Sequence, residues 1–239
     1  MGSMVKWLPL LFLLTSCATK YIIPGNRFMT PETNGGMFKG QIELQQAAAN
    51  QLTIDTTNGS VDDGVFYQNV VRTGFMYSTS FFENFDLFWS HVGGGNSLLG
   101  AKFQILGEPK AQSSVGHRLS LSAGFGGNEH ETDDGAVDFK IEGNEFGLLY
   151  GYRLNEMVLP YLSVFKSKYT FSGEIVGGPS NLRGLEPRLD TNILALNGGL
   201  EFTVKAIVAK IEASYQQLDT TDTKQRSQYL FGWTIGYAW

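Results

Sequence analysis

The C-terminal residues 227–239 alternate strictly between two kinds of side chain. One set is large and mostly aromatic, and it comprises Tyr229, Phe231, Trp233, Ile235, Tyr237 and Trp239. The other set carries no charge, and it comprises Leu230, Gly232, Thr234, Gly236 and Ala238. A period of two is that of a β-strand. A strand of a water-soluble sheet would place charged groups on one face, so this strand avoids bulk water on both faces.

A transmembrane β-barrel needs strands of this kind, because lipid lies outside the barrel and a crowded lumen lies inside it. The terminal residues Tyr237 and Trp239 resemble the C-terminal signature of bacterial outer-membrane barrels, whose last residue is usually Phe or Trp. In those proteins the barrel assembly machinery recognises the last strand. The resemblance therefore implies an integral outer-membrane location, with outer-membrane lipids and the assembly machinery as partners.

The composition agrees with spanning by strands. The chain has 239 residues, 42% hydrophobic and 17% charged, and no window reaches the ~18 consecutive apolar residues of a spanning helix. Only helices and closed barrels satisfy every backbone group in hydrocarbon, so strands are the remaining route. The net charge of −5 argues against nucleic-acid binding. The sequence shows no zinc-ligand spacing and no phosphate-binding glycine loop, so we predict neither a metal nor a cofactor.

The N-terminus has the features of an export signal. Lys6 precedes an apolar run at residues 7–14, which is typical of a leader rather than of folded structure. The following Leu14-Thr15-Ser16-Cys17 resembles the bacterial lipobox, which implies that Cys17 becomes the lipidated first residue of the mature chain. The alternative is an ordinary signal peptide cleaved near Ala18.

We therefore divide the chain into three parts. Residues 1–16 are predicted to be a lipoprotein signal peptide, and residues 17–36 a lipid anchor and periplasmic linker, since Pro and Gly interrupt any periodicity there. Residues 37–239 are predicted to form an all-β, antiparallel up-and-down transmembrane barrel of about ten strands, with eight or twelve also possible. Both termini are expected on the periplasmic side, with the longer connections outside.

Two strands need particular interpretations. Between residues 137 and 154 the apolar positions change from odd to even, which a β-bulge near Gly143 and Asn144 would reconcile. In the next strand the aromatic positions are expected to face lipid, namely Tyr161, Phe165, Tyr169 and Phe171.

Charged side chains on the inward positions are expected to form ion pairs, because charges removed from bulk water need partners. The predicted lumen network comprises Lys39, Glu43, Arg72, Asp86, Lys102, Arg118, Lys166, Lys168, Glu201, Lys210 and Glu212. Such a network would simply keep the barrel rigid. Because Lys and Arg outnumber the carboxylates in this set, a narrow anion-leaning pore is an alternative, although eight to ten strands leave little open water.

Two enzyme templates can be compared with the predicted loops and rims. Omptin-like proteases use acidic pairs and an Asp–His pair at the extracellular rim, and His130, Asp133 and Asp134 fall in one acidic loop. Lipid-modifying barrels resemble a different pattern, with a His and a Ser on neighbouring strands, and His91 and His117 have Ser neighbours. A solvated acidic loop and ordinary rim residues account for both patterns without catalysis.

The sequence thus predicts a small, non-enzymatic outer-membrane lipoprotein with a plugged polar lumen and a structural or surface-interaction role. The alternatives are an outer-membrane hydrolase and the anion-leaning pore. A soluble, lipocalin-like barrel is a further alternative, and it would bury the 227–239 aromatic stripe in its interior. The sequence does not determine the oligomeric state.

Overall fold

A computed structural model describes residues 18–239 except 56–64, 113, 132–136, 176–183, 185, 187 and 221–222. The described strands are β1 (Ala18–Pro24), β2 (Gly40–Asp55), β3 (Val65–Phe82), β4 (Phe85–Val92), β5 (Ser97–Leu106), β6 (Gly116–Glu131), β7 (Val137–Arg153), β8 (Val158–Ile175), β9 (Arg188–Val204), β10 (Ile207–Thr220) and β11 (Thr223–Ala238). A 3₁₀ turn covers Lys110–Gln112. Among the described residues, no helix is long and apolar enough to cross a membrane.

Strands β2 to β11 form a closed antiparallel barrel, as the sequence predicts. Each strand pairs with the next, and β11 pairs back onto β2 through Gly232–Ala238 and Gln41–Ala47. We call one end of the barrel the turn end: it holds Trp239, the start of β2 and the connections β3–β4, β5–β6, β7–β8 and β9–β10. The other end is the loop end, and it holds the remaining connections of the barrel. Fold class and strand number are confirmed.

The large apolar side chains face away from the barrel axis. On β11 the side chain of Leu230 is buried, whereas Tyr229, Phe231 and Trp233 are exposed. The same alternation surrounds the barrel, and we call this outward-facing set the apolar belt; it includes Leu44, Leu99, Phe103, Leu121, Leu148, Leu162, Leu196 and Ile235. A lipocalin-like barrel would bury these side chains, so the geometry is that of a transmembrane barrel.

The predicted bulge in β7 is wrong. Strands β6 and β7 pair without interruption from Gly116 opposite Arg153 to Glu131 opposite Asp138. Even-numbered residues of β7 face outward from Lys140 through Tyr150, and Ile141 is buried inside. The apparent change of phase has another cause: toward the loop end the outer face becomes polar and the inner face apolar, as for a barrel that projects beyond lipid into water.

The prediction for β8 is also wrong, because its two faces are exchanged. Tyr161, Phe165, Tyr169 and Phe171 are buried in the lumen, whereas Lys166 and Lys168 are exposed outside. The outward face carries Leu162 and Val164 in the belt before the two lysines. Both faces of this strand contain apolar residues, so alternation alone did not distinguish them.

Most of the segment predicted to be a periplasmic linker, residues 22–35, lies inside the barrel. Side chains from Ile22 to Asn34 are buried, and we call residues 22–35 the plug. At its start β1 pairs antiparallel with the upper part of β2, Ala18 opposite Asp55 and Pro24 opposite Ala49. The linker interpretation was wrong because the segment has no strand periodicity, and such a segment can be ordered by a surrounding lumen as well as left in solvent.

The belt can be tested with an arginine on the outer face of β7. Leu148→Arg should lower the free energy of unfolding by about 2–4 kcal/mol, because it places a cation against acyl chains. Glu142→Arg is the matched control, since Glu142 lies on the same face above the belt and is exposed. Denaturant titration in lipid vesicles, followed by gel mobility of the folded form, measures both. Equal losses for the two variants would contradict the belt.

Candidate functional site

The lumen and the plug together form the candidate site. Along the chain the plug meets β10 first at Gln216, whose side-chain amide donates to Gly25 O at 2.5 Å. It ends at Gly35, whose backbone N–H donates to Ser80 Oγ on β3 at 3.0 Å. The plug therefore runs through the barrel from near the loop end to the turn end.

Lumen side chains bind the main chain of the plug. Glu212 accepts the backbone N–H groups of Arg27 at 2.8 Å and Phe28 at 2.9 Å, and Lys210 donates to Phe28 O at 2.8 Å. Nearer the turn end, Asp86 accepts the backbone N–H of Asn34 at 3.1 Å. Buried backbone groups need partners, and a segment outside any sheet must find them among side chains. The inward carboxylates and lysines supply them.

Two charges of the plug complete ion pairs with the wall. Glu32 lies between Arg118, at 3.2 Å, and Arg153, which it contacts at hydrogen-bonding distance. Arg27 pairs with Glu145 at 2.6 Å. These side chains are almost fully buried. Removing Glu32 or Arg27 would leave a buried charge of the wall without its counter-ion, so the plug is a structural component of the lumen.

The connection between β5 and β6 contacts the plug at the turn end of the lumen. Lys110 in its 3₁₀ turn donates its backbone N–H to Thr33 O at 2.9 Å, and its ammonium lies 3.0 Å from Glu201. Beside the plug a cavity of about 20 Å³ remains, lined by polar and charged side chains with Met29 and Phe88. That volume holds about one water molecule. The length of this connection, unusual for the turn end, is explained by its contact with the plug.

The remaining lumen has few charges. Met29 of the plug packs with Phe88, Leu149, Phe165 and Ala195 of the wall. Toward the loop end large apolar residues face inward beside neutral polar ones such as Asn50, Thr191 and Gln216; the apolar residues include Ile141, Tyr169, Phe171, Leu189, Ile193 and Leu218. The charged contacts are thus concentrated toward the turn end. The plug places charged residues against the charged part of the wall and Met29 against its apolar part.

The structure brings most of the predicted lumen charges together. Inside the lumen and buried are Glu43, Asp86, Lys102, Arg118, Glu201, Lys210 and Glu212. Lys210 lies 2.6 Å from Glu43 and Lys102 3.4 Å from Asp86. Arg72 is half-buried near the loop end, where it donates to Gln51 Oε1 at 3.1 Å.

Three predicted members lie outside the lumen. Lys39 is exposed in the turn before β2, and Lys166 and Lys168 are exposed on the outer face of β8. Lys168 lies 3.3 Å from Asp190 on the outer surface. Their placement was wrong because lysine was assigned to the lumen wherever it alternates with aromatics. That rule holds only within lipid, and the two β8 lysines lie above the belt residues of their strand.

Sequence reasoning missed five charged residues that complete the network: Arg27, Glu32, Lys110, Glu145 and Arg153. With them, the lumen charges named here are seven Lys and Arg and six carboxylates, where the predicted set had seven and four. Glu145 was hidden by the supposed change of phase in β7. Arg27 and Glu32 fall in the segment taken for a linker. The presence of one basic and one acidic residue among its prolines and glycines was the available indication that this segment contacts the lumen.

The enzyme candidates do not form a described site. His130 lies on β6 near its end, but Asp133 and Asp134 lie outside the described residues. His117 contacts the Tyr150 hydroxyl at 2.7 Å, and His91 Nδ1 lies 2.9 Å from Ser97 Oγ on the outer face. A Ser–His pair also requires an orienting group and oxyanion donors, and the described contacts of His91 include no carboxylate. Within the described ranges, no three His, Cys, Asp or Glu side chains are grouped to hold a metal.

The C-terminal residues contact the beginning of the barrel. Trp239 donates its backbone N–H to Gly40 O at 3.0 Å and its indole N–H to Phe38 O at 3.1 Å. A Cβ at position 40 would lie 2.5 Å from the Trp239 ring, so glycine permits this close approach. Tyr237 stacks beside Trp239 on the outer face. The two residues predicted to be the assembly signal therefore lie at the closing seam.

Comparisons with known proteins add little beyond architecture. No protein-family model matches the chain, and no curated protein matches it. Among solved structures, Ail, the attachment invasion locus protein of Yersinia pestis, is 14% identical with a TM-score of 0.42, covering 85% of this chain and all of Ail. Neisserial surface protein A is 14% identical with a TM-score of 0.39, covering 84% of this chain and 96% of that one. The ten-stranded barrel rests on the strand pairing described above.

Neutralising Glu32 tests the role of the plug in the lumen. Glu32→Gln should lower the free energy of unfolding by about 3–5 kcal/mol, because Arg118 and Arg153 lose a buried counter-ion. Glu142→Gln is the control, since its partner Lys140 is exposed and surface pairs contribute little. The measurement is denaturant titration in vesicles. Similar stability of the two variants would show that the plug does not complete the network.

Proposed function

We propose that this protein is a small, non-enzymatic outer-membrane lipoprotein whose lumen is closed by its own chain and whose role is structural or surface-interacting. The observation that carries the proposal is the plug: residues 22–35 fill the place that a substrate, a solute or water would take. The outward belt supports integral membrane location, since only lipid accommodates an exposed apolar surface surrounding a closed barrel.

The network supports a closed barrel rather than an anion-leaning pore. The excess of inward cations that suggested anion selectivity falls from three to one, because Lys39, Lys166 and Lys168 lie outside the lumen and Glu32 and Glu145 lie inside it with Arg27, Lys110 and Arg153. The residual cavity beside the plug, about 20 Å³, is far too small for a water-filled path. The surfaces that would carry the proposed surface interaction are then the outer face and the connections at the loop end.

A conductance experiment tests the closed lumen. The full chain in planar bilayers should show no discrete current steps, because the plug is bound by ion pairs along its length. A doubly substituted control, Arg27→Ala with Glu32→Ala, loosens the plug and should give intermittent steps, which shows that the assay detects opening. Steady anion-selective steps from the unchanged protein would contradict the proposal and favour the pore.

The lipid anchor is the part of this proposal that rests on the Leu14–Cys17 segment alone, which lies outside the described residues. Growth with a radioactive fatty acid should label the protein, and Cys17→Ala should abolish the label while the heat-modifiable gel mobility of the folded barrel is kept. Labelling that survives the substitution, or unlabelled protein with Cys17 intact, would remove the lipoprotein assignment and leave the barrel unaffected.

A further inference from the structure

The direction of β1 defines the side from which the chain enters the barrel. Strand β2 rises from Gly40 at the turn end to Asp55 at the loop end. Strand β1 is antiparallel to it, with Ala18 opposite Asp55 and Pro24 opposite Ala49. The chain at Ala18 therefore lies at the loop end, and β1 descends from there toward the lumen.

Contacts with β10 follow the same descent residue by residue. This strand runs from Ile207 at the turn end to Thr220 at the loop end. Gly25 accepts from Gln216, Asn26 donates to Glu212 O at 3.1 Å, and Phe28 O accepts from Lys210. Successive residues of the plug thus contact residues of β10 that lie successively nearer the turn end, as expected for one continuous passage.

The chain leaves the lumen at the turn end. After Gly35 binds Ser80 Oγ, Gly36 and Phe38 have positive φ angles, 117° and 62° respectively, and redirect the backbone. Lys39 O then accepts from Ser80 N at 2.8 Å, and β2 begins at Gly40. The plug and β2 are thus the two arms of a hairpin that turns at the bottom of the barrel.

The descending chain lies beside a divided seam between β2 and β11. The two strands pair only between Gln41–Ala47 and Gly232–Ala238. Beyond Ala47, that edge of β2 pairs with β1 instead. At the division Gly25 is enclosed: a Cβ there would lie 2.1 Å from Ala48 O and 2.4 Å from Leu230 Cδ1. Glycine is therefore the residue that fits against the wall here without displacing its neighbours.

We propose that the protein threads its own barrel from the extracellular side, so that residues preceding Ala18 and any group attached to them are presented at the cell surface. The assignment of the loop end to the outside rests on the proposed function and on the rule that short turns and the C-terminus face the periplasm. The N-terminal end of β1 and Trp239 then lie on opposite sides of the membrane, contrary to the expectation that both termini are periplasmic.

This topology also identifies the lipid leaflet that an N-terminal anchor would meet. Ala18 follows Cys17 directly, so an acyl group on Cys17 would lie on the side of the outer leaflet. A flexible periplasmic linker would have allowed the anchor to insert into the inner leaflet of the outer membrane. The buried ion pairs of Arg27 and Glu32 hold the chain in the lumen and exclude that insertion while the plug is bound.

The test places one epitope in the full chain at each of three positions: between Ala18 and Thr19, in the connection after Ile175, and between Lys205 and Ala206. The second position marks the loop end and the third the turn end. Antibody binding is measured on intact cells and after permeabilisation, and gel mobility with and without boiling verifies folding of each variant. The first two epitopes should bind antibody equally before and after permeabilisation, and the third only after it.

Each other outcome overturns a distinct statement. Binding at the Ala18 epitope only after permeabilisation, with the Ile175 epitope accessible throughout, rejects threading and leaves the proposed function intact. Access to the Lys205 epitope on intact cells instead rejects the orientation, and surface presentation with it. If the Ala18 insertion prevents folding, Thr19→Cys and Lys205→Cys in a Cys17→Ala background, labelled with a membrane-impermeant maleimide, distinguish the same outcomes.

Discussion

The contact of Glu32 with Arg118 and Arg153 is the interaction on which the rest of the lumen depends. It joins the plug to β6 and β7, and Arg153 continues to Glu201 on β9 at 3.1 Å. Taking ions out of water costs several kcal/mol for each, so these groups must be paired or left unstable. A ten-stranded wall that encloses such charges therefore needs counter-ions and hydrogen-bonding groups inside the lumen, and the plug provides them.

The arrangement of the plug also explains why so many inward side chains are charged. Glu212, Lys210 and Asp86 bind backbone amides and a carbonyl rather than solutes. In a sheet these backbone groups would be satisfied by a neighbouring strand. Here the wall performs that task with side chains, so these lumen charges bind a peptide chain.

Sequence reasoning succeeded where one face of a strand is distinct from the other. On β11 and β6 the inward positions are small or polar, such as Gly236 and Ser120, and the outward residues could be identified directly. On β8 both Phe165 and Val164 are apolar, and their directions depend on Met29 of the plug and on the position of the lipid boundary. Neither the contact with Met29 nor the lipid boundary can be read from the sequence of β8.

The plug could not be found by periodicity, since it belongs to no sheet beyond Pro24. Its partners are far away in the chain: Arg27 meets Glu145, and Glu32 meets Arg153. Such pairs are set by the closed geometry of the barrel. Charge balance was an accessible indication, because the predicted lumen set had fewer carboxylates than Lys and Arg, and Glu32 and Glu145 are two that it lacked.

The hairpin made by the plug and β2 has a consequence for assembly and for chain length. Because the plug directly precedes the first barrel strand and the last strand closes against that same strand, the first and last strands of the wall meet beside the segment that they enclose. The segment has to reach from Gln216 near the loop end to Ser80 at the turn end. Its number of residues is therefore constrained by the height of the wall as well as by its chemistry.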